Sequence, residues 1–313
     1  MGALPPLKLP LIDFCKYDMK PGSTQWDSVQ KEVVKALEEY GCFEARYDRI
    51  SVELHYDVFK QLEVLFDLPA ETKSHFVDPR KPYDGYLGNL PHLPLYEAMG
   101  ISGVLDSGGI RKLANLMWPK GNPKFCETLN SYAMTLSELE SLITRMVFRS
   151  LGVEKYLDSH ARSLNHSIRV MRYEAPMTRE PQSGGSSHCD KNFLTILQQN
   201  DVNGLEVQTK DGKWIQVAPS ASTFIVMVGE SFLGWSNGRL HCPTHRVMMS
   251  GTETRYSIGS FSAIRGVIKC PCELVDEQHP LLFKPFDEID LLRLHQTEQG
   301  LKAESTLKAY CGV

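Results

Sequence analysis

The chain has 313 residues, of which 42% are hydrophobic and 23% charged, so it carries enough apolar material for a substantial core and is not globally disordered. Lysine and arginine number 34 against 38 aspartates and glutamates, a net charge of −4, which argues against nucleic acid or an anionic membrane surface as partner. No run approaches the ~18 apolar residues that span a bilayer, the start MGALPPLKLPLIDF lacks a charged-then-apolar signal, and the eight cysteines form no CxxC pair; the expectation is a cytoplasmic, monomeric chain with free thiols that acts on a small molecule.

In chain order, Trp26, Val29, Val33, Val34 and Leu37 follow helical spacing, and Gly41 marks the stop. Cys42 to Glu44 suits a short strand, and Ser51 N-caps a second helix through Leu54, Val58, Leu62 and Leu65 that Pro69 closes. From about 70 to 121 the periodicity gives way to proline, glycine and aromatic residues. Tyr83, Tyr86, Leu87, Leu90, Leu93, Leu95, Tyr96 and Met99 are too apolar for a solvated linker, so this stretch reads as a segment covering a site. Asn122 as N-cap and Pro123 at the first helical position open the longest helix, with an apolar stripe through Leu129, Met134, Leu136, Leu139, Ile143 and Val147 to Gly152.

Beyond Gly152 the pattern changes to short β-rich runs at Ile168–Tyr173, Phe193–Gln198, Leu205–Thr209, Lys213–Val217, Thr223–Val228, Arg246–Met249 and Arg255–Phe261. Asp211-Gly212 and Asn237-Gly238 mark tight turns. This spacing signals an antiparallel sandwich or barrel and not βαβ units. A last helical pattern near Asp287 to Leu294 precedes a polar tail.

Chemistry concentrates in the β half. His188 and Asp190 are two residues apart and on a strand would share a face; a second histidine 57 residues on, His245, would complete two imidazoles and a carboxylate, a set suited to non-haem Fe(II) with open coordination positions. A lone HxD occurs by chance in many chains, and His241 and His245 offer a rival zinc pair, although Cys242 stands where that motif wants glutamate and Pro243 opposes its helix. Arg255 and Ser257 share a strand face with Gly259 and Phe261, placing a guanidinium suited to carboxylate capture beside a hydroxyl. A divalent iron, one carboxylate, a dicarboxylate keto acid and one guanidinium would cancel in charge, as a buried site requires. Cys189 would point away from the ion and pack; Gly184-Gly185 reads as the turn that delivers His188, and Cys270-Pro-Cys272 as loop thiols.

At these residues the chain resembles the plant-type 2-oxoglutarate-dependent Fe(II) dioxygenases over nearly its whole length, through His188-Cys-Asp190, Ser-Asn-Gly at 236–238, His245-Arg-Val247 and Arg255-Tyr-Ser257. LPLID at 9–13, Gly41-Cys-Phe43, LTIL at 194–197 and GLEV at 204–207 support it. ALEEYGCFEA at 36–45, DGKWI at 211–215, LVDE at 274–277 with FKPFD following, and the terminal YCGV are most similar to the branch containing glucosinolate side-chain dioxygenases and alkaloid-modifying hydroxylases.

The resemblance implies that His188, Asp190 and His245 hold Fe(II), that Arg255 and Ser257 bind the distal carboxylate of 2-oxoglutarate, and that Tyr173 assists. Met171 replaces an asparagine found in many members, and Arg46-Tyr47-Asp48 stands near the place of an expected Asn-His-Gly. Phe261, Arg169, Tyr86 and Tyr96 are candidate substrate-lining residues around an apolar, ringed substrate. The implied fold is mixed α/β: a double-stranded β-helix (jelly-roll, cupin-like) core flanked by helices. Residues 1–121 would form an N-terminal helical and covering region, 122–265 the long helix and catalytic core, and 266–313 a C-terminal helical segment and tail, all in one catalytic unit. The implied function is oxidation, foremost hydroxylation, of a small specialised metabolite with O2 consumed, succinate and CO2 as coproducts and ascorbate as reductant. Dealkylation, desaturation and a catalytically silent binder are the alternatives.

Overall fold

Local signals set the helical layer. In the computed structural model, which describes residues 7–15, 20–77, 84–91, 93–106, 108–177 and 180–313, strand β1 (Leu11–Asp13) leads to α1 (Thr24–Glu39), β2 (Cys42–Arg46) and α2 (Val52–Phe66). The Ser23 hydroxyl accepts from the Trp26 amide and the Ser51 hydroxyl from the Leu54 amide, each satisfying a helix-start donor. Gly41, at φ +71°, turns the chain from α1 into β2, and a Cβ there would meet the His241 carbonyl at 2.3 Å.

The stretch expected to be an irregular cover is partly built into the fold. It forms α3 (Ala70–Ser74), β3 (Gly85–Leu87), β4 (Tyr96–Ser102) and α4 (Gly109–Met117); Tyr83 lies outside the described residues. Strand β4 hides from sequence periodicity because Ala98, Met99, Gly100 and Ile101 in a row are buried on both faces, which erases the alternation of a half-exposed strand. Helix α5 (Pro123–Ser150) begins with the Asn122 side chain accepting from the Phe125 amide. Phe125, Leu129, Tyr132, Leu136, Leu139, Ile143, Met146, Val147 and Phe148 are fully buried along it, each apolar side chain contributing roughly 1.5–3 kcal/mol. Met134, expected in that stripe, is 62% exposed, since it falls one position off the buried face.

After α6 (Leu157–Ser163) come β5 (Leu164–Tyr173), β6 (Gln182–His188), β7 (Leu194–Gln199), β8 (Leu205–Gln208), β9 (Trp214–Gln216) and β10 (Thr223–Val228). Helix α7 (Glu230–Trp235), β11 (His245–Met249), β12 (Arg255–Ile264) and the short β13 (Val267–Ile268) and β14 (Phe286–Asp287) follow. The large sheet runs β1-β2-β10-β7-β12-β5-β4-β3 and the small one β6-β11-β8-β9. From β5 to β12 the chain passes back and forth between the two sheets, which is the jelly-roll winding; strands from before residue 122 extend the large sheet. One face of that sheet packs on the helices through Met99, Ile101, Ile168, Val170, Val226 and Ile258. The other face meets the small sheet through Met171, Tyr173, Leu197 and Met227 against Leu205, Val207, Ile215 and Met249.

The C-terminal piece is more ordered than a polar tail. After α8 (Glu288–His295), capped by Asp287, α9 (Glu298–Lys302) and α10 (Thr306–Cys311) dock with Leu307 fully buried. Among the described residues no helix is long and apolar enough to cross a membrane.

Candidate active site

Strand β6 ends at His188 and β11 begins at His245, and the antiparallel register pairs these two residues directly. Register shifts opposite His245–Met248 mark bulging in β6, which carries the extra residues, a device that re-aims side chains. The histidine ring centroids lie 4.4 Å apart. Asp190 lies two residues beyond the end of β6, so the shared-face argument from strand alternation does not apply to it. Its position is set by the turn: its carbonyl accepts from the Glu230 amide at 2.8 Å, and its Oδ2 accepts from the Thr195 hydroxyl at 2.6 Å.

Asp190 Oδ1 stands 3.6 Å from His188 Nε2 and 3.7 Å from His245 Nε2. One ligand atom from each residue lies within 4.8 Å of the others. An ion ~2.1 Å from each atom can bridge carboxylate and imidazole at such separations. His188 donates Nδ1–H to the Ser186 carbonyl at 2.9 Å, which leaves Nε2 as a lone pair facing the carboxylate. Partial desolvation of its ring, then the neighbouring His245 imidazole, lower the His188 basicity and favour the neutral form. Burial pulls the Asp190 carboxyl up, but His245, His188 and the Thr195 hydroxyl outweigh it and hold it below the ordinary carboxylate value. His188 keeps 44% of its side chain exposed, so the trio is reachable from solvent. A carboxylate between two imidazoles, with its second oxygen already hydrogen-bonded, fits a divalent ion of intermediate softness.

Cys189 turns the other way, its sulfur 3.5 Å from the Thr244 hydroxyl and 3.8 Å from the Cys242 carbonyl. His241 does not join the trio; its ring is pushed down to about 4 by burial and by Lys210 and Lys308. The eight cysteines are free, with Cys272 exposed and Cys270 half-buried.

The second half of the site lies on the large sheet. Arg255 is fully buried and pairs across β12 and β5 with Tyr173, whose ring lies 4.9 Å beneath the guanidinium. Arg255 Nη1 donates to the Ser257 hydroxyl at 3.3 Å, while Nε and Nη2 both donate to Gln199 Oε1, at 3.1 and 2.9 Å. Among the described residues no carboxylate neutralises this buried cation, so its desolvation calls for an anion from outside the chain. Burial pushes the Tyr173 phenol up to about 12, and it donates to Met171 Sδ at 3.6 Å. Two glycines make room for this packing: a Cβ at Gly204 would lie 2.8 Å from Arg255 Cδ, and one at Gly184 would lie 2.7 Å from the Tyr173 ring. Gly184 and Gly185 are thus part of β6, not a turn; at Gly184 the missing side chain permits close approach.

Arg169, Phe261 and Tyr96 lie on this same interior face. Arg169 is in register with Gly259 on one side and Gly100 on the other, and its Nε donates to the Tyr96 hydroxyl at 3.2 Å. The half-buried Phe261 is in register with Thr195, the residue that holds Asp190. Tyr86 is on the opposite face: its hydroxyl donates to Glu97 at 2.8 Å, its ring lies beneath Lys73 at 5.4 Å, and it packs on the helix-side core. Its assignment as substrate wall is therefore corrected, because β3 pairs Tyr86 with Met99, a residue whose side chain faces the helices. Sequence reading overlooked Thr195 and Gln199. Their shared parity on one strand, five and nine residues after Asp190, was the available signal.

Comparison with known proteins agrees with this geometry. Residues 165–264 match the 2OG-Fe(II) oxygenase superfamily, and residues 9–91 match the non-haem dioxygenase in morphine synthesis N-terminal family. The Arabidopsis thaliana protein named "Probable 2-oxoglutarate-dependent dioxygenase AOP1.2" is 45% identical over 97% of this chain and 95% of its own length. A rice dioxygenase for auxin oxidation superposes with a TM-score of 0.78 at 28% identity, covering 92% of this chain and 95% of that one. The 2-oxoglutarate binary complex of the Arabidopsis thaliana dioxygenase for auxin oxidation 1 gives 0.78 at 26% identity over 87% and 99%. The chain accordingly belongs to the 2-oxoglutarate- and Fe(II)-dependent oxygenase superfamily, as an oxidoreductase that uses iron(II) and 2-oxoglutarate.

Proposed function

We propose that this chain hydroxylates a small specialised metabolite, coupling insertion of one oxygen atom of O2 into a substrate C–H bond to conversion of 2-oxoglutarate into succinate and CO2. The observation that carries the proposal is a fully buried, acid-free guanidinium in the same interior as a two-imidazole, one-carboxylate trio. In this reading His188, Asp190 and His245 hold iron(II), which supplies the oxidising chemistry when bound with its keto acid. Arg255 and Ser257 take the distal carboxylate, and the Tyr173 ring supports the guanidinium from below.

The remaining work belongs to the protein: orienting one C–H bond and excluding water. Arg169, Tyr96 and Phe261 line the approach and form the substrate contacts. The intact Asp190 carboxylate favours oxygen transfer over halogenation, which needs that ligand position open to halide. The substrate class follows the relatives, whose names describe a probable 2-oxoglutarate-dependent dioxygenase of Arabidopsis thaliana and a rice dioxygenase for auxin oxidation. A cytoplasmic monomer sustained by ascorbate completes the proposal.

Anaerobic addition of Fe(II) and 2-oxoglutarate should produce a metal-to-ligand absorption band. Oxygen and a metabolite panel should then yield succinate and a product 16 mass units heavier, in equal amounts. A band without substrate-dependent succinate identifies a silent binder; a product two mass units lighter identifies a desaturase; activity under nitrogen identifies a hydrolase.

A further inference from the structure

We propose that Gln199 is the positioning residue for cosubstrate capture, holding Arg255 uncompensated and confining the incoming carboxylate to one edge of its guanidinium. This rests on the reading that Arg255 takes the distal carboxylate of 2-oxoglutarate.

A guanidinium offers five N–H groups and can grip a carboxylate along its Nε/Nη edge or end-on through both Nη atoms. Here Gln199 Oε1 accepts from Nε at 3.1 Å and from Nη2 at 2.9 Å, so a neutral acceptor already occupies the first edge. The amide cannot turn to offer nitrogen instead, because Gln199 Nε2 donates to the Val217 carbonyl at 3.0 Å and the side chain is only 3% exposed. Ser257 at 3.3 Å from Nη1 and the Tyr173 side chain, whose ring lies beneath the guanidinium and whose phenol interacts with it, leave the end-on edge as the one not held by Gln199. The result is a fixed cation with neutral partners only and one edge already taken.

The chemistry of position 199 follows from charge. Glutamate has nearly the same shape and would also accept from Nε and Nη2, but it would neutralise Arg255 from within and leave a dicarboxylate keto acid nothing to pair with. The neighbouring Gln198 is a built-in contrast. It projects to the opposite face of β7, where its oxygen accepts from the Tyr132 hydroxyl at 3.1 Å and its nitrogen donates to the Ala221 carbonyl at 3.2 Å.

The test measures anaerobic binding of two keto acids to the Fe(II)-loaded protein by calorimetry: 2-oxoglutarate, and 2-oxovalerate, which has the same carbon chain without the distal carboxylate. Wild-type protein should prefer 2-oxoglutarate by about 100-fold, the scale of losing a buried charge partner. In Gln199→Glu that preference should collapse to within about tenfold, entirely through 2-oxoglutarate, with 2-oxovalerate affinity held to about threefold. In Gln199→Met, which keeps Arg255 charged but unsteered, the preference should narrow by about tenfold, while Gln198→Met leaves it at the wild-type value. Equal loss for both keto acids, or a wild-type preference surviving in both Gln199 variants, overturns the proposal for Gln199 alone. A wild-type protein without preference, or one whose preference survives Arg255→Met, overturns the Arg255 reading and this proposal with it.

Discussion

The His188, Asp190 and His245 trio sits where the small sheet and its following turn meet, with one histidine 44% exposed, whereas Arg255 is sealed in the large sheet. Within the trio the acid has polar partners: Asp190 lies between two imidazoles and 2.6 Å from a hydroxyl. The arginine pocket has only neutral acceptors. One half is therefore a matter of donor placement, and the other a matter of uncompensated charge.

Substitutions can separate these two plans. The largest effect belongs to Asp190→Ala, which should lower iron affinity well beyond the ~100-fold that loss of a supporting outer contact costs, and should abolish succinate formation. Iron-binding titration checks it, and full hydroxylation by the variant would contradict the ligand role. Arg255→Lys keeps the charge but loses the planar fork; KM for 2-oxoglutarate should rise ~10–100-fold, the scale of a 1.5–3 kcal/mol charge-assisted bond, with substrate KM little changed. Equal loss for both would place the arginine elsewhere in the mechanism. Thr195→Val removes the hydrogen bond that orients Asp190 and should weaken iron binding by about tenfold while leaving anaerobic 2-oxovalerate binding to iron-saturated protein unchanged.

The smallest effect on activity should come from Glu288, which lies outside both regions where α8 begins. Burial pushes its carboxyl up to about 8, against a hydrogen bond from the Ile264 backbone and one from Ser231. The fold therefore holds this proton more tightly than the unfolded chain does. Its stabilising contribution is complete below the ordinary 4.5 and is lost as pH climbs toward 8. Glu288→Gln should leave turnover within about twofold yet remove on the order of a few kcal/mol of pH-dependent stability across that window, read by denaturant unfolding at pH 5 and pH 8.

Much of this architecture is local chemistry and is legible in the sequence. Ser23, Ser51 and Asn122 start helices because a short polar side chain caps exposed amides, and Thr223–Val228 is a strand because its residues suit nothing else. His188, Asp190 and Arg255 stand out because few patterns bring a His-x-Asp pair, a later histidine and an Arg-x-Ser pair into one β-rich stretch. Strand β4 and helix α10 escaped notice because neither shows a one-sided apolar pattern; their burial comes from distant partners.

What the sequence determined by itself was thus most of the longer helices and core strands, together with two histidines, an aspartate and a strand arginine as candidate site residues. Only the tertiary structure decided that Tyr86 faces the helices and Arg169 the interior, that Gly184 serves Tyr173 by its missing side chain, and that Gln199 takes one edge of Arg255. Each of these depends on the register between strands far apart in the chain, and a slip of one residue would exchange every inward side chain for its outward neighbour.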